Sequence, residues 1–285
     1  MALDRITLAA LRRLPKNFVS RAFGVVCEVE LPPPMQKVVN ETFARMTRID
    51  VREGERMPAD YPTLNAFFTR HLQAGARPVA SEEPTVLVSP VDGRLGQFGK
   101  ITDDTLIQAK GREYKLVDLV DSGLEAREFK DGFFVTLYLS PRDYHRIHSP
   151  SAGRVEKVSY IPGHLFPVNL FAVENVDELF AVNERLITYV STEAAGRIAV
   201  IKVGATCVGR IGLAFDEFCT NQRLRRREEF ELDEPVDVAH GDELGVFNLG
   251  STVILLISHP DFGIDPDLAS GEMLRVGQFL GRITS

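Results

Sequence analysis

A glycine and a serine stand at the entrance of a predicted buried strand, within the stretch GVFNLGSTVILL at residues 245–256. Residues 252–257 form an unbroken apolar run of strand length, so Gly250 and Ser251 lie where a turn delivers the chain into the core. Taken alone the pair is an ordinary tight turn, because glycine and serine are common turn residues. It also suits chemistry, because a glycine leaves its carbonyl unhindered and tolerates strained backbone angles. The Ser251 hydroxyl can then attack the preceding peptide bond.

Two histidines follow another predicted buried strand, in the segment LSPRDYHRIHSP at residues 139–150. Ser140 and Asp143 form a capping-box pattern with proline at the first helical position, which predicts a short helical turn. On such a turn His145 and His148 lie on one face, whereas on a strand they face opposite ways. Isolated histidines often serve only packing, but two placed together after a buried strand indicate function as readily as packing.

Ser251, His148 and Asp92 combine as nucleophile, base and orienting acid, a set whose logic is geometric and independent of sequence order. Asp92 lies in SPVDGRLGQF at 89–98, which shares Ser, Pro, Gly and Arg with SPSAGRVEKV at 149–158. A structural repeat would place Asp92 and the segment before the second copy at corresponding edges of a pseudo-symmetric barrel or sandwich. Shared turn chemistry produces the same four identities, so both interpretations stay open at this point.

The same side chains allow other functions. Asp92, His145 and His148 are chemically suited to Zn²⁺, which makes a zinc hydrolase the alternative enzyme, although it leaves the LGST stretch unexplained. A carrier or lipid-binding module is the non-enzymatic alternative, suggested by the repeated SPxxGR pattern.

The elements that must position these residues divide the chain in two. Residues 1–75 are predicted to form a helical region, with helices around residues 38–46 and 61–72. Residues 76–285 are rich in short β runs punctuated by Gly, Pro and Asp, among them TVLVSP, GFFVTLYL and STVILLI. The predicted fold class is α+β, with a mainly antiparallel β catalytic domain, barrel or sandwich-like, behind the helical N-terminal region.

Composition excludes several classes of protein. The 285 residues are 44% hydrophobic and 26% charged, which is ordinary for a globular protein with one sizeable core. A net charge of -7 argues against a general nucleic-acid binder, because phosphate contacts need a basic face. Three scattered cysteines are too few for a disulfide framework, so a reducing compartment is expected.

The amino end is basic although the protein is acidic. Its apolar residues are interrupted by an arginine pair, so no run reaches the ~18 to 20 residues of a spanning helix. An interfacial membrane anchor and a plain docking helix both fit this stretch. Its cations are Arg5, Arg12, Arg13, Lys16 and Arg21, against the single acid Asp4.

Six ordered segments resemble phosphatidylserine decarboxylase of the bacterial proenzyme type. They are VDG (91–93), LSPRDYHRIHSP (139–150), HLFPVN (164–169), NERLITYV (183–190), VGATCVG (203–209) and GDELGVFNLGST (241–252). The resemblance implies autocatalytic serinolysis between Gly250 and Ser251, which yields a large chain 1–250 and a small chain 251–285. Ser251 becomes a covalent pyruvoyl group, so pyruvate is the implied cofactor and no metal is required.

The resemblance also assigns roles. His148, oriented by Asp92, is the implied base for self-cleavage, and His145 the implied proton donor in decarboxylation. The pyruvoyl group would form a Schiff base with phosphatidylserine and decarboxylate it to phosphatidylethanolamine. The implied location is the cytoplasmic face of the cell membrane, held peripherally by the 1–75 region. The two chains are expected to stay associated non-covalently in a homo-oligomer, without nucleic acid.

Overall fold

The computed structural model describes residues 16–109, 112–206, 210–220, 226–248 and 251–284. Its helices are α1 (Lys16–Cys27), α2 (Pro33–Thr47), α3 (Leu64–Phe68), α4 (Leu116–Val120), α5 (Gly123–Phe129), α6 (Leu170–Asn175) and α7 (Leu179–Val182). Its strands are β1 (Val86–Val88), β2 (Gly93–Lys100), β3 (Thr105–Ala109), β4 (Arg112–Lys115), β5 (Phe133–Tyr138), β6 (Arg146–His148), β7 (Gly153–Ile161), β8 (Arg185–Ser191), β9 (Arg197–Val203), β10 (Arg210–Leu213), β11 (Glu228–Val238), β12 (Glu243–Asn248), β13 (Thr252–Ile257), β14 (Phe262–Ile264), β15 (Met273–Leu274) and β16 (Phe279–Ile283).

The core is an eight-stranded antiparallel sheet in the order β11-β7-β8-β9-β13-β5-β2-β15. β13 lies inside it and pairs along its whole length with β5 on one side and β9 on the other. All six residues of β13 are buried, because other elements cover both faces of the sheet. This explains why the TVILLI run is continuously apolar instead of alternating. The predicted α+β class with antiparallel sheets is confirmed.

Two three-stranded sheets flank the core, β1-β16-β14 and β10-β12-β6. Gly245 of β12 packs against the main sheet so closely that a Cβ there would lie 3.4 Å from the Lys202 side chain. The described strands form open sheets, and none of these sheets closes into a barrel. Of the two predicted architectures, the described strands therefore exclude the closed barrel.

The repeated SPxxGR segments are structurally equivalent. The two segments cross and form a matching pair of hydrogen bonds. The amide of Val88 donates to the Pro150 carbonyl (2.9 Å), and the amide of His148 donates to the Pro90 carbonyl (2.8 Å). β1 and β6, which end at this crossing, pair with β16 and β12 respectively. The two segments thus occupy equivalent places at the edges of the two small sheets, as the repeat hypothesis predicts.

The turns that follow this crossing match as well. The Ser89 and Ser149 hydroxyls each donate to the carbonyl two residues ahead, at 2.8 and 2.7 Å. Their own carbonyls accept from the amides of Gly277 (3.0 Å) and Gly241 (2.9 Å). Both glycines have φ near +80°, a conformation that other residues adopt only with strain. Shared turn chemistry is therefore part of a genuine repeat.

The helical N-terminal region contains the predicted helices with one change of length. α2 confirms the helix predicted around residues 38–46, but α3 has only five residues instead of running through 61–72. The helix ends early because the following chain pairs with another backbone segment, where the amide of Glu55 donates to the His71 carbonyl (2.9 Å). Among the helices of the described ranges, none is both long and apolar enough to cross a membrane.

Replacing Gly277 by alanine tests the backbone strain at the repeat. The new Cβ would lie 2.6 Å from the Pro78 carbonyl oxygen at a φ of +80°, so we expect a loss of about 2 kcal/mol in the free energy of unfolding. Gly123→Ala is the matched control, because that Cβ meets nothing within 4 Å at the start of α5. Urea denaturation of both variants measures the difference, and equal stabilities would contradict the assigned strain.

Candidate active site

Ser251 is placed by the backbone of the main sheet. It immediately precedes β13, and its carbonyl accepts a hydrogen bond from the amide of Leu139 (2.9 Å). Its side chain is fully buried, and its Oγ has no hydrogen-bond partner among the described residues. A buried hydroxyl without a partner costs free energy and needs an explanation, which its position directly after Gly250 supplies by making Ser251 the candidate nucleophile. Gly250, predicted to supply the attacked carbonyl, lies outside the described residues.

Two backbone ladders hold the chain on either side of residues 249–250 against the histidine segment. On the carboxyl side, β13 pairs with β5, the strand that leads into that segment. On the amino side, β12 pairs with β6, and the amide of Phe247 donates to the His145 carbonyl (2.9 Å). The sequence did not indicate this pairing, because it joins residues about a hundred positions apart.

The local structure of the histidine segment differs from the prediction. The capping contact exists, since the Asp143 carboxylate accepts from both the amide and the hydroxyl of Ser140 at 2.7 Å. The chain makes a turn there but forms no helix, and residues 146–148 are strand β6. The prediction that His145 and His148 share a helical face is therefore wrong. Pairing with β12 extends the backbone, so the two imidazoles enter different environments.

His145 lies in a closed apolar environment. Its ring packs on Phe68 of α3, with centroids 4.1 Å apart, and its Nδ1 contacts the Asp143 carbonyl (2.8 Å). Burial lowers the pKa of His145 to about 3, so the ring is neutral and Nδ1 carries the proton that it donates to the carbonyl. Nε2 is then an unprotonated acceptor, and it has no partner among the described residues.

His148 has a different set of partners. Its Nδ1 donates to the Gly241 carbonyl (2.7 Å), which leaves Nε2 to accept from the Tyr144 hydroxyl (3.3 Å). Burial lowers the pKa of His148, so it too is neutral and Nε2 is available as a base. Burial also raises the pKa of Tyr144 to about 12, so this phenol keeps its proton.

Asp92 contacts an arginine instead of a histidine. The Arg77 guanidinium holds the carboxylate through Nε (2.8 Å) and Nη2 (2.5 Å), and the amide of Val276 donates to it at 2.9 Å. Glu53 accepts a second bond from Arg77 (2.8 Å). No hydrogen bond between Asp92 and His148 is present, and the charge of Asp92 acts on His148 from a distance by raising its pKa against the larger effect of burial. The sequence carried no signal for Arg77.

The zinc alternative is not supported by this arrangement. Asp92, His145 and His148 each contact a different partner, and no group of three His, Cys, Asp or Glu side chains within the described ranges converges as a metal site would require.

A cavity of about 370 Å³ opens on the face of the main sheet that carries Thr252, the residue that follows Ser251 in the chain. The hydroxyls of Thr136 and Thr252 line its buried end, and neither has a hydrogen-bond partner among the described residues. Two buried hydroxyls without a partner among the described residues favour a ligand with polar atoms. The apolar walls come from Leu95, Val168, Leu170, Val173 and Phe180.

Comparisons with known proteins agree with this geometry. Residues 64–282 match the sequence profile described as phosphatidylserine decarboxylase. The chain belongs to the phosphatidylserine decarboxylase family. It is 41% identical over 281 residues to a Myxococcus xanthus protein, with 99% of each chain covered, and 43% identical over 282 residues to one from Anaeromyxobacter sp., with 98% of each covered. A Brevibacillus brevis relative is 40% identical over 271 residues, with 95% of each covered. All three are named phosphatidylserine decarboxylase proenzyme.

The hydrogen bonds do not join Ser251, His148 and Asp92 into one network, whereas membership of the family is consistent with their acting together. Ser251 is buried without a hydrogen-bond partner among the described residues, His148 is neutral, and Asp92 is neutralised by Arg77. Tyr144 and Gly241 were missed as partners of His148, although both stand inside the quoted family segments.

Arg77→Met removes the partner that neutralises Asp92. The ion pair is buried, with 9% of each side chain exposed, so we expect a loss of about 3 kcal/mol in the free energy of unfolding. Arg154→Met is the control, because the ion pair of Arg154 with Asp237 is largely exposed and should contribute under ~1 kcal/mol. Chemical denaturation compares the variants, and similar stabilities would show that Asp92 does not depend on Arg77.

Proposed function

We propose that this chain is a phosphatidylserine decarboxylase that cleaves itself at Gly250–Ser251 and converts residue 251 into its pyruvoyl group. The observation that carries the proposal is the buried Ser251 hydroxyl just before β13, which has no hydrogen-bond partner in the described part of a chain of this family. The family relatives named as proenzymes support the self-cleavage.

The proposed self-cleavage proceeds through bonds of this chain alone. The Ser251 oxygen attacks the Gly250 carbonyl, an ester bond forms, and the peptide C–N bond breaks to leave an amine on Ser251. Elimination then breaks the Ser251 Cβ–O bond, which releases the Gly250 carboxylate and leaves a dehydroalanine. Water adds and ammonia departs, so residue 251 ends as a ketone.

His148 is proposed as the base in both proton-removing steps. Its Nδ1 donates to the Gly241 carbonyl, which selects the tautomer with a basic Nε2, the arrangement that a carboxylate provides in a serine protease. The lowered pKa keeps the ring neutral near pH 7. Asp92 then contributes its charge and its anchoring of the surrounding turn, instead of a direct hydrogen bond to the imidazole.

The surroundings of residue 251 fit a pyruvoyl group. The position is fully buried and is followed directly by Thr252, which lines the cavity. The Thr252 hydroxyl has no hydrogen-bond partner among the described residues. The ketone supplies an electron sink for the electrons released when carbon dioxide leaves the substrate.

His145 is proposed to move the proton of the second reaction. Its Nε2 has no hydrogen-bond partner among the described residues, so it can contact the substrate. Burial lowers the pKa of the ring to about 3, so a proton that Nε2 takes up from solvent is held weakly and passes to the substrate carbon after carbon dioxide leaves.

The sheet explains how the two proposed chains would remain together without a covalent bond. After cleavage, β13 still pairs with β5 and β9, and β16 still pairs with β1. Non-covalent association of 1–250 with 251–285 is therefore expected. Homo-oligomerisation stays a prediction.

The membrane-associating region is proposed because polar side chains of its helices face the protein while apolar ones face outward. α2 turns Gln36 and Asn40 toward the protein, while Val38 (62% exposed) and Met46 (80% exposed) face outward. On α1, Phe18 (71%) and Val26 (66%) are exposed as well. Such a surface suits the acyl boundary of a membrane, so we propose peripheral binding at the cytoplasmic face. The predicted cations Arg5, Arg12 and Arg13 lie outside the described residues.

Separate substitutions of the two histidines test whether His148 acts in self-cleavage and His145 in decarboxylation. His148→Ala should remain mostly uncut, as should Ser251→Ala, because the base or the nucleophile is missing. His145→Ala should cleave but lose about 10²- to 10⁴-fold in decarboxylation, the usual contribution of a placed proton donor. Intact mass measures cleavage, a carbonyl reagent counts pyruvoyl groups, and turnover is expressed per trapped group.

Two outcomes would contradict these roles. Cleavage of Ser251→Ala would disprove the serinolysis, and parental turnover by fully matured His145→Ala would reduce His145 to a packing residue. The exposed His71→Ala is the control and should behave like the parent.

The membrane face predicts a binding defect without a catalytic one. The triple variant Phe18→Ser, Val26→Ser and Val38→Ser should lower partitioning into anionic vesicles at least about tenfold, because each change removes apolar area from the contact. Leu124→Ser is the control, since this side chain is equally exposed (70%) but lies on α5. Vesicle sedimentation gives the partitioning, and unchanged partitioning of the triple variant would move the contact elsewhere.

A further inference from the structure

The cavity beside Thr252 has a single charged side chain among the described residues that line it, and this residue stands at the mouth. Arg94 is exposed, and its Nη1 donates to the Gly271 carbonyl (2.5 Å). Within the described ranges no carboxylate forms an ion pair with it, whereas Arg77 contacts two. The cavity therefore runs from neutral hydroxyls at its buried end to a guanidinium at its opening.

The sheet register fixes the order of these groups. Thr252 on β13 lies opposite Tyr138 on β5, and Tyr138 lies opposite Arg94 on β2, so the three side chains share one face of the sheet. Neighbouring strands are about 4.8 Å apart, which places the Arg94 backbone about 10 Å from that of Thr252. A ligand that is joined to residue 251 and extends along this row approaches Thr252 first and Arg94 last.

Gly96 keeps the buried end open. A Cβ at this position would lie 3.2 Å from the Thr136 carbonyl oxygen and 3.5 Å from the Thr136 Cγ2. A side chain at position 96 would therefore crowd Thr136, where both residues line the cavity. Gln108 also lines the cavity, but its amide already bonds the Val173 carbonyl and the Leu179 amide, so it is occupied by the fold.

We propose that Arg94 binds the phosphodiester of the phosphatidylserine headgroup while the Thr136 and Thr252 hydroxyls receive its carboxylate. The inference rests on the proposed function, which requires the headgroup amine to reach residue 251. The carboxylate is attached to the same carbon as this amine, so it must stay at the buried end. The phosphorus lies four covalent bonds from the nitrogen, toward the mouth, and the acyl chains continue past Leu170, which is 73% exposed.

The position of the cation agrees with the chemistry. The reaction removes the negative charge of the carboxylate, so a cation beside it would stabilise the ground state and oppose the departure of carbon dioxide. Two neutral hydroxyls orient the carboxylate without this penalty. The phosphodiester keeps its charge throughout, so Arg94 binds the ground state and the transition state alike and should affect KM more than kcat.

The test uses soluble dihexanoyl lipids, which separates headgroup recognition from membrane binding. Dihexanoyl-phosphatidylmethanol carries the phosphodiester but neither amine nor carboxylate, and calorimetry gives its Kd for the processed protein. Arg94→Gln should weaken this binding about tenfold, the lower range for a charge-assisted contact, and should raise KM for dihexanoyl-phosphatidylserine similarly with kcat unchanged. Arg94→Lys should restore part of the affinity, because it keeps the charge but loses the bidentate geometry.

Two further variants sharpen the result. Thr136→Val should leave the Kd for phosphatidylmethanol unchanged and raise KM for phosphatidylserine, because only the second ligand has a carboxylate. Arg154→Gln is the charge-matched control, remote from the cavity on β7, and should change neither constant.

The proposal is overturned if Arg94→Gln leaves both the Kd and KM at parental values, or if it lowers kcat alone. An unchanged KM for Thr136→Val would overturn the orientation of the carboxylate. Failure of the proposed function is seen separately, because a parent protein without the 251–285 fragment or a trappable carbonyl would refute it. The phosphatidylmethanol Kd would still test Arg94 on that uncut protein.

Discussion

The hydrogen-bond ladders of β13 and β12 are the constraint on which the rest of the structure depends. β13 lies between β5 and β9 in the main sheet, while β12 belongs to a small flanking sheet with β6. Asn248 and the strand that follows Ser251 therefore belong to different sheets, and β12 and β13 both pair with strands that adjoin the histidine segment. Neither ladder includes the connecting peptide bond, which supports the proposal that a chain cut here keeps its fold.

Burial sets the protonation states around that passage. His145 and His148 are both neutral because desolvation outweighs the favourable contacts that would charge them. Their remaining nitrogens differ, since Nε2 of His148 meets a phenol and Nε2 of His145 meets no described partner. Two chemically identical side chains three positions apart are thereby suited to different proton transfers. The two arginines differ in their ion pairs. Arg77 pairs with two carboxylates, whereas Arg94 forms no ion pair with a described carboxylate and stays available at the cavity mouth.

The N-terminal helices do more than carry an apolar surface. Phe68 covers His145, and the Asn65 side chain donates to both Glu28 (2.8 Å) and Asn248 (2.7 Å), the last described residue before the proposed cleavage site. The Arg146 guanidinium also donates to the Thr69 carbonyl (2.9 Å). The region predicted as a separate helical unit over 1–75 is thus packed directly on the site. The helical region that carries the proposed membrane surface therefore also contacts His145 and Asn248 beside the proposed active site.

The sequence by itself determined the features that depend on local pattern. The apolar run at 252–257 specified a buried strand, the two SPxxGR segments indicated turns, and the residue types at Asp92, His148 and Ser251 indicated nucleophilic chemistry, whereas the equivalence of the two turns was decided by the fold. Only the tertiary structure decided features that depend on distant partners. Pairing with β12 made residues 146–148 a strand where the local capping pattern favoured a helical turn. Arg77 came to neutralise Asp92, and the Gly241 carbonyl took the place beside His148 that the sequence assigned to a carboxylate. Hydrogen bonds and ion pairs between residues far apart in the chain leave no periodic signal in it, so their partners are known only when the fold brings them together.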